Sequence, residues 1–316
     1  MNDIQGCFSH LTQNIEPLKS VSEKSDHGDI DMLIDANISI EQIAEVGRIR
    51  GVQEMRRNGD TLHLAWPIQS GGIAQIDIKC INWESIENAR AFLWYGDVGN
   101  LVGKLVRGSF LGVIRWNYLG LYRRVWTPDQ DNLLDVLFIT LDRERIFEFL
   151  DLDFKRWSMG FANEVDTFEF VAKSTMFHQD FFDPKNLRHD QKEDYKRPGY
   201  KRFLEWMHAN AGKSTDPIRF TESEIDDMLL RNFGLNPEIP KELRSNWELR
   251  KTAHQKFSGK DILRYYPEMP GPRIGELVNS VRSYYGGDTP IGWNTILKTE
   301  FEDILKMMRI FEANEQ

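Results

Sequence analysis

Apolar and polar positions alternate most clearly over Ile73 to Ile81, where Ala74, Ile76, Ile78 and Cys80 interleave with Ile73, Gln75, Asp77 and Lys79. Period-two alternation describes a strand with one buried face, and here it turns Asp77 away from the apolar side. Similar patterns predict strands over Asp29 to Asp35, Val52 to Met55 and Thr61 to Pro67, with an extended segment near Glu16 to Val21 after a short N-terminal helix. Asn58-Gly59, inside Arg56 to Asp60, is a hairpin signal, because a tight two-residue loop needs residues that tolerate positive φ. A helix over Ile40 to Ile49 follows Ser39, whose hydroxyl can cap it while Gln42 reaches back.

After Trp83 the spacing becomes helical, with one helix near Ser85 to Tyr95 and another from about Asn100 through Tyr118. Beyond Trp126, Val136 to Thr140 is the clear strand. Pro, Gly and Asn then separate helical stretches at Asp142 to Leu150, Val165 to Met176, Tyr200 to Ala209, Glu222 to Asn232 and Thr299 to Phe311. The pattern predicts an α+β protein: a small mixed-sheet domain over residues 1–127 and a mainly helical domain over residues 128–316, joined near Thr127-Pro128.

With 316 residues, 41% of them hydrophobic, the chain can fill two cores. Its apolar runs fall far short of the roughly 20 residues of a membrane helix. The N-terminus lacks a secretion pattern, so the expectation is a cytoplasmic protein with no membrane partner. Cys7 and Cys80 lack metal-ligand spacing and read as buried thiols. The net charge of -9 argues against a surface coated for duplex binding. A local basic surface stays open: no acidic residue lies between Asp97 and Asp129, a window holding Lys104, Arg107, Arg115, Arg123 and Arg124. Trp157, Trp206, Trp247 and Trp293 read as core anchors of small helices. His178 and His189 have no partner at ligand spacing and read as packed or surface histidines.

The candidate chemistry lies in carboxylates. Asp29 and Asp31 leave one face of their strand while Ile30 leaves the other. Two such acids repel unless a cation sits between them, and oxygen ligands with open positions suit Mg2+, or Mn2+ in its place. A third carboxylate, Asp77, would complete the set that bridges two ions about 3.5–4 Å apart for in-line displacement at phosphorus.

The run from Ser20 to Asp31 resembles the signature of the polymerase-beta nucleotidyltransferase superfamily, in which a Gly-Ser turn precedes an Asp-x-Asp strand. Gln75-Ile76-Asp77-Ile78 looks like that superfamily's third-carboxylate strand. Nucleotidyltransferase-like proteins of tailed phages are similar too: their Gly-Ser-Val-Gly-Lys-Lys segment partly matches Lys19 to Lys24, and the likeness extends over Trp83, the following helix and Lys104 to Gly108. The resemblance implies a nucleotidyltransferase domain with Asp29, Asp31 and Asp77 as catalytic metal ligands. It implies that Ser20, Lys19, Lys24, Lys104 and Arg107 bind ATP or another nucleoside triphosphate, and, for a phage-encoded chain, a place in the host cytoplasm. Lys19 and Ser22 stand where the family has glycines, which allow close approach to the triphosphate and unusual dihedrals.

Phe257 to Leu263 and Met269 to Leu277 resemble the helical body of CCA-adding enzymes and bacterial poly(A) polymerases, where a Gly-x-Asp-Leu turn leads through Pro-Gly-Pro into a helix. Physically, Pro272 suits a first helical turn, and Gly275 would permit close approach by a backbone or phosphate. Glu193 to Arg197 superficially resembles the base-selecting Glu-Asp-x-x-Arg of those enzymes but reads better as a charged, solvated segment. Their Arg-Arg-Asp element has no counterpart, since Val125 follows Arg123-Arg124. The expected function is template-independent transfer of a nucleoside monophosphate from a triphosphate to a hydroxyl, with a tRNA or other RNA 3′ end as acceptor. The alternatives are transfer to a protein or small molecule, and a degenerate member that binds nucleotide or a partner without turnover.

Overall fold

The computed structural model describes residues 2–25, 27–68, 71–183, 185, 196–210 and 216–314. The chain divides into two compact units, Met1–Arg124 with Leu137–Leu235, and Val125–Val136 with Asn236–Gln316. The architecture is α+β, a mixed-sheet region followed by helices, as the hydrophobic pattern predicts.

The first unit opens with α1 (Asn2–Phe8), β1 (Ile15–Pro17), β2 (Asp29–Asp35), α2 (Ile40–Ile49), β3 (Met55–Asn58), β4 (Thr61–Pro67) and β5 (Ile73–Ile81). The five strands form one sheet in the order β1-β2-β5-β4-β3. Only β2 and β5 run parallel, and their neighbours pair antiparallel. The alternation read from β5 explains its central place: Ile76 and Ile78 are fully buried and pack with Met32, Ile34, Leu62, Leu64 and, from α2, Ile43 and Val46. A capping box starts α2, with Ser39 Oγ accepting from the Gln42 N–H and the Gln42 side chain accepting from the Ser39 N–H. The hairpin turns at Gly59, φ 60°, with Asn58 paired to Thr61. Its first strand begins at Met55 rather than Val52, because the ladder runs through Arg56 and Arg57 up to the turn.

The chain continues through α3 (Ile86–Leu93) and α4 (Val98–Ser109) to a three-stranded sheet of β6 (Ile114–Asn117), β7 (Gly120–Trp126) and β8 (Leu133–Thr140), in that order. This corrects the expectation of a helix through Tyr118. Leu111 and Gly112 take positive φ, 53° and 74°, which an α-helix cannot propagate. Beyond them Trp116 pairs with Leu121 as a buried cross-strand couple. The helices α5 (Arg143–Phe149), α6 (Phe154–Met159), α7 (Glu164–Ala172), α8 (Pro198–Asn210) and α9 (Glu222–Phe233) share a core with α4 that includes Leu101, Leu105, Phe110, Phe147, Trp157, Phe168 and Phe203. The Phe181 ring lies against α4 at Gly108, where a Cβ would fall 2.2 Å from Phe181 Cγ. Thr127-Pro128 lies in the Val125–Val136 segment of the second unit, while α5 to α9 pack in the first.

The second unit comprises α10 (Glu238–Lys256), α11 (Gly259–Tyr265), α12 (Gly271–Tyr284), α13 (Pro290–Lys298) and α14 (Phe301–Asn314) around Phe257, Ile262, Leu277, Val281, Ile296, Ile304 and Met308. Pro270 stands at the N-cap of α12 and Pro272 in its first turn, as Pro-Gly-Pro predicts. Gly275 differs from expectation: a Cβ there would meet nothing within 4 Å, so no neighbouring backbone presses on it. The tightly packed glycine is Gly259, whose Cβ would fall 2.8 Å from Ile274 Cγ2. Among the expected anchors Trp157 and Trp293 are buried, Trp206 and Trp247 half-buried. Cys7 is buried, whereas Cys80 is only half-buried. Among the described residues no helix is long and apolar enough to cross a membrane.

Candidate metal centre

Asp29 and Asp31 open the face of β2 that lies opposite Met32 and Ile34. Farther along the same face, Leu33 is buried with Ile81, Ile86 and Ala89, so that end of the strand is covered and the acidic end stays open. The parallel register sets Asp31 opposite Asp77 and Asp29 opposite Gln75. All three carboxylates offer an oxygen within 4.8 Å of the others, and among the described residues they form the one such group of His, Cys, Asp or Glu side chains. Asp29 and Asp31 are exposed and Asp77 is half-buried.

Three acids in this space carry more negative charge than the local cations offset. Desolvation by surrounding protein, then the Asp29 charge, then the Asp77 charge raise the Asp31 carboxyl from 3.8 to about 6, while Lys24 and Arg197 pull it down. Asp31 keeps an open face to solvent, so the like-charge crowding is the part that a cation would relieve. The donors are hard oxygens with open positions, a chemistry that fits Mg2+ or Mn2+.

Asp77 has a partner that sequence reasoning missed. His63 of β4 lies opposite it in the antiparallel ladder, with Nδ1 2.8 Å from Asp77 Oδ1. Gln75 Nε2 donates to the same oxygen at 3.0 Å. The hairpin register carried the signal: Thr61 follows the turn, Leu62 and Leu64 face the core, and His63 must therefore share the face of Asp77.

The residues expected to bind nucleotide part company. The segment from Leu18 to Lys24 runs beside the acids, tied by Leu18 N–H to Asp31 O at 2.9 Å and held farther on by Ser22 N–H to Phe161 O at 3.0 Å and Glu23 N–H to Ala162 O at 2.8 Å. Ser20 is half-buried in it, and Lys24 is exposed with its charge acting on Asp31. Lys19 instead sets its ammonium 4.2 Å from the Trp94 ring centroid, a cation–π contact. Lys104 is buried in α4 with Nζ 4.9 Å from the Tyr200 ring, and Arg107, one turn on, is half-buried.

No protein-family model matches this sequence, and no curated protein matches it. The chemistry of the centre therefore stands on its geometry. The basic window does not form one continuous surface: Lys104 is buried, and Arg123 is fully buried with Nη2 2.8 Å from Asp226 Oδ1. Arg197, the last residue of the charged stretch read as a solvated segment, ion-pairs with Asp97 at 3.1 Å and its charge acts on Asp31. Glu193, Asp194, Tyr195 and His189 lie outside the described residues. His178 is packed, its Nδ1 accepting from the Asp180 N–H at 3.2 Å. A separate polar concavity of about 330 Å³, lined by Asp151, Asp153, Arg156, Asp166, Glu169 and Lys173 among others, shares no residue with the carboxylates.

Proposed function

We propose that this chain is a metal-dependent nucleotidyltransferase. One observation carries the reading: three carboxylates from two adjacent parallel strands converge within 4.8 Å on an open sheet face. Asp29, Asp31 and Asp77 would hold Mg2+ or Mn2+, which when bound neutralises polyphosphate charge and favours in-line displacement. Lys24 adds positive charge beside the tail, and the Ser20 hydroxyl donates to a phosphate oxygen. Asp77 accepts the proton of the attacking hydroxyl, the new oxygen–phosphorus bond forms at the α-phosphate, and pyrophosphate leaves with the electrons of the broken bond. The acceptor in this reading is an RNA 3′ end such as that of tRNA, from the likeness of Phe257 to Leu277 to RNA-processing transferases. A hydroxyl on a protein or small molecule serves the same chemistry. A cytoplasmic location, or the host cytoplasm for a phage-encoded chain, accompanies it.

Incubation with each labelled ribonucleoside triphosphate, Mg2+ or Mn2+, and tRNA or mixed RNA tests the proposal. The expected result is incorporation that Asp29→Ala abolishes. The Lys19–Trp94 contact, at a position where the family has glycine, favours a second reading, a nucleotide-binding protein without turnover. Metal-dependent triphosphate binding with no transfer to RNA, protein or small-molecule acceptors would select it.

A further inference from the structure

We infer that His63 is a positioning residue for the metal centre, fixing which oxygen of Asp77 is presented to the ion; this rests on the proposed metal-binding role of the carboxylates. Asp77 Oδ1 has two neighbours that can donate to it, Gln75 Nε2 at 3.0 Å and His63 Nδ1 at 2.8 Å. An oxygen engaged twice on its own sheet is a poor ligand, so Asp77 offers its other oxygen, Oδ2. Asp77 then presents a single oxygen, Oδ2, to the ion and to the proton of the attacking hydroxyl alike, whereas Asp29 and Asp31, more exposed, keep more freedom.

The arrangement is built into the sheet. His63 and Asp77 are register partners on β4 and β5, so the pair is set by the ladder that also buries Leu62, Leu64, Ile76 and Ile78. The His63 side chain is 30% exposed and that of Asp77 13%, so the contact sits at the inner margin of the open face. A carboxylate restrained in this way gives up less rotational freedom when it takes a ligand, and such supporting hydrogen bonds raise metal affinity.

The test is Mn2+ titration of the full chain, following loss of the free-ion electron paramagnetic resonance signal, on wild type, His63→Leu and His63→Asn. Melting curves without metal check that each variant is folded. The inference expects His63→Leu to bind Mn2+ about tenfold to a hundredfold more weakly, the usual cost of losing such a partner. His63→Asn, whose amide N–H can replace Nδ1, should recover much of that loss. Equal or tighter binding by folded His63→Leu would overturn the inference while leaving the metal reading intact. Failure of His63→Asn to recover affinity would overturn the positioning role. A wild type that takes up no Mn2+ at millimolar concentration would bring down the metal reading and the inference together. Should His63→Leu fail to fold, Gln75→Leu with His63→Asn supplies the second comparison: the doubly altered oxygen should bind more weakly than His63→Asn alone, and no difference would count against the clamp.

Discussion

Asp31 of β2 stands directly opposite Asp77 of β5 in a parallel register, two carboxylates facing one another with Asp29 as a third neighbour. Parallel pairing brings like charge together here, only partly offset by Lys24 and Arg197, and the consequences can be measured.

Asp31→Asn should stabilise the protein without metal at neutral pH. Its carboxyl is raised from 3.8 to about 6, so the folded state holds the Asp31 proton more tightly than the unfolded chain does. Wild-type stability from this group is thus greatest at low pH and falls as pH rises through about 4 to 6. Asparagine carries no charge, so its advantage should be absent near pH 4 and full above about pH 7, on the order of 1 kcal/mol after screening at this open position. Melting curves over that range decide it; equal stability at pH 8 would exclude the crowding.

Mg2+ should reverse the same penalty. At ten times the dissociation constant a ligand that binds only the folded state adds about 1.4 kcal/mol. The wild-type melting temperature should rise with Mg2+ at pH 7.5, and that of Asp29→Ala/Asp31→Ala should stay put. A rise of equal size in the double variant would place the effect elsewhere.

Arg123 and Asp226 should respond unequally to substitution. Arg123 is fully buried and ion-paired with Asp226, whose side chain is 12% exposed. Asp226→Ala takes a carboxylate from a fully buried cation and should cost about 3–5 kcal/mol, whereas Arg123→Met removes the buried charge itself and leaves the more accessible Asp226, at less cost. Urea unfolding of both variants makes the comparison, and equal losses would show that the arginine contributes through packing.

Gly108→Ala should destabilise the first unit although alanine is the better helix former. The Cβ would fall 2.2 Å from the Phe181 ring, and overpacking of this kind costs about 1–3 kcal/mol. Adding Phe181→Leu should return part of the loss; no relief would point to strain within α4 itself.

Legibility followed how strongly each segment patterned itself. β4, β5 and α2 appear where alternation and the Ser39 cap place them, because one face of each is apolar and the other polar. β6 and β7 were hidden since Ile114, Tyr118, Leu121 and Val125 satisfy a helical stripe nearly as well, and positive φ at Leu111 does not announce itself in a leucine. α10 escaped notice because it buries only Pro240 and Ala253 along 19 residues, leaving little periodicity to read. In the candidate site, spacing put Asp29 and Asp31 on one strand face and turned Asp77 to the polar side of another, while the resemblance of the surrounding segments joined the three. His63 required the register of two strands at once, and the burial of Lys104 required knowledge of Tyr200, far along the chain.

The parallel pairing also orders events during folding. β3, β4 and β5 join through antiparallel neighbours that are close in sequence, whereas β2 reaches β5 only across the span that holds α2 and the hairpin. Contacts of long sequence separation form late and slowly. On this ground Asp77 should meet the Asp29–Asp31 pair only when β2 docks on β5, and the like-charge repulsion should fall on that step. If the proposed metal site is real, divalent cations should accelerate refolding well beyond an equal ionic strength of NaCl, so that the same charges would govern the rate of folding as well as ligand binding.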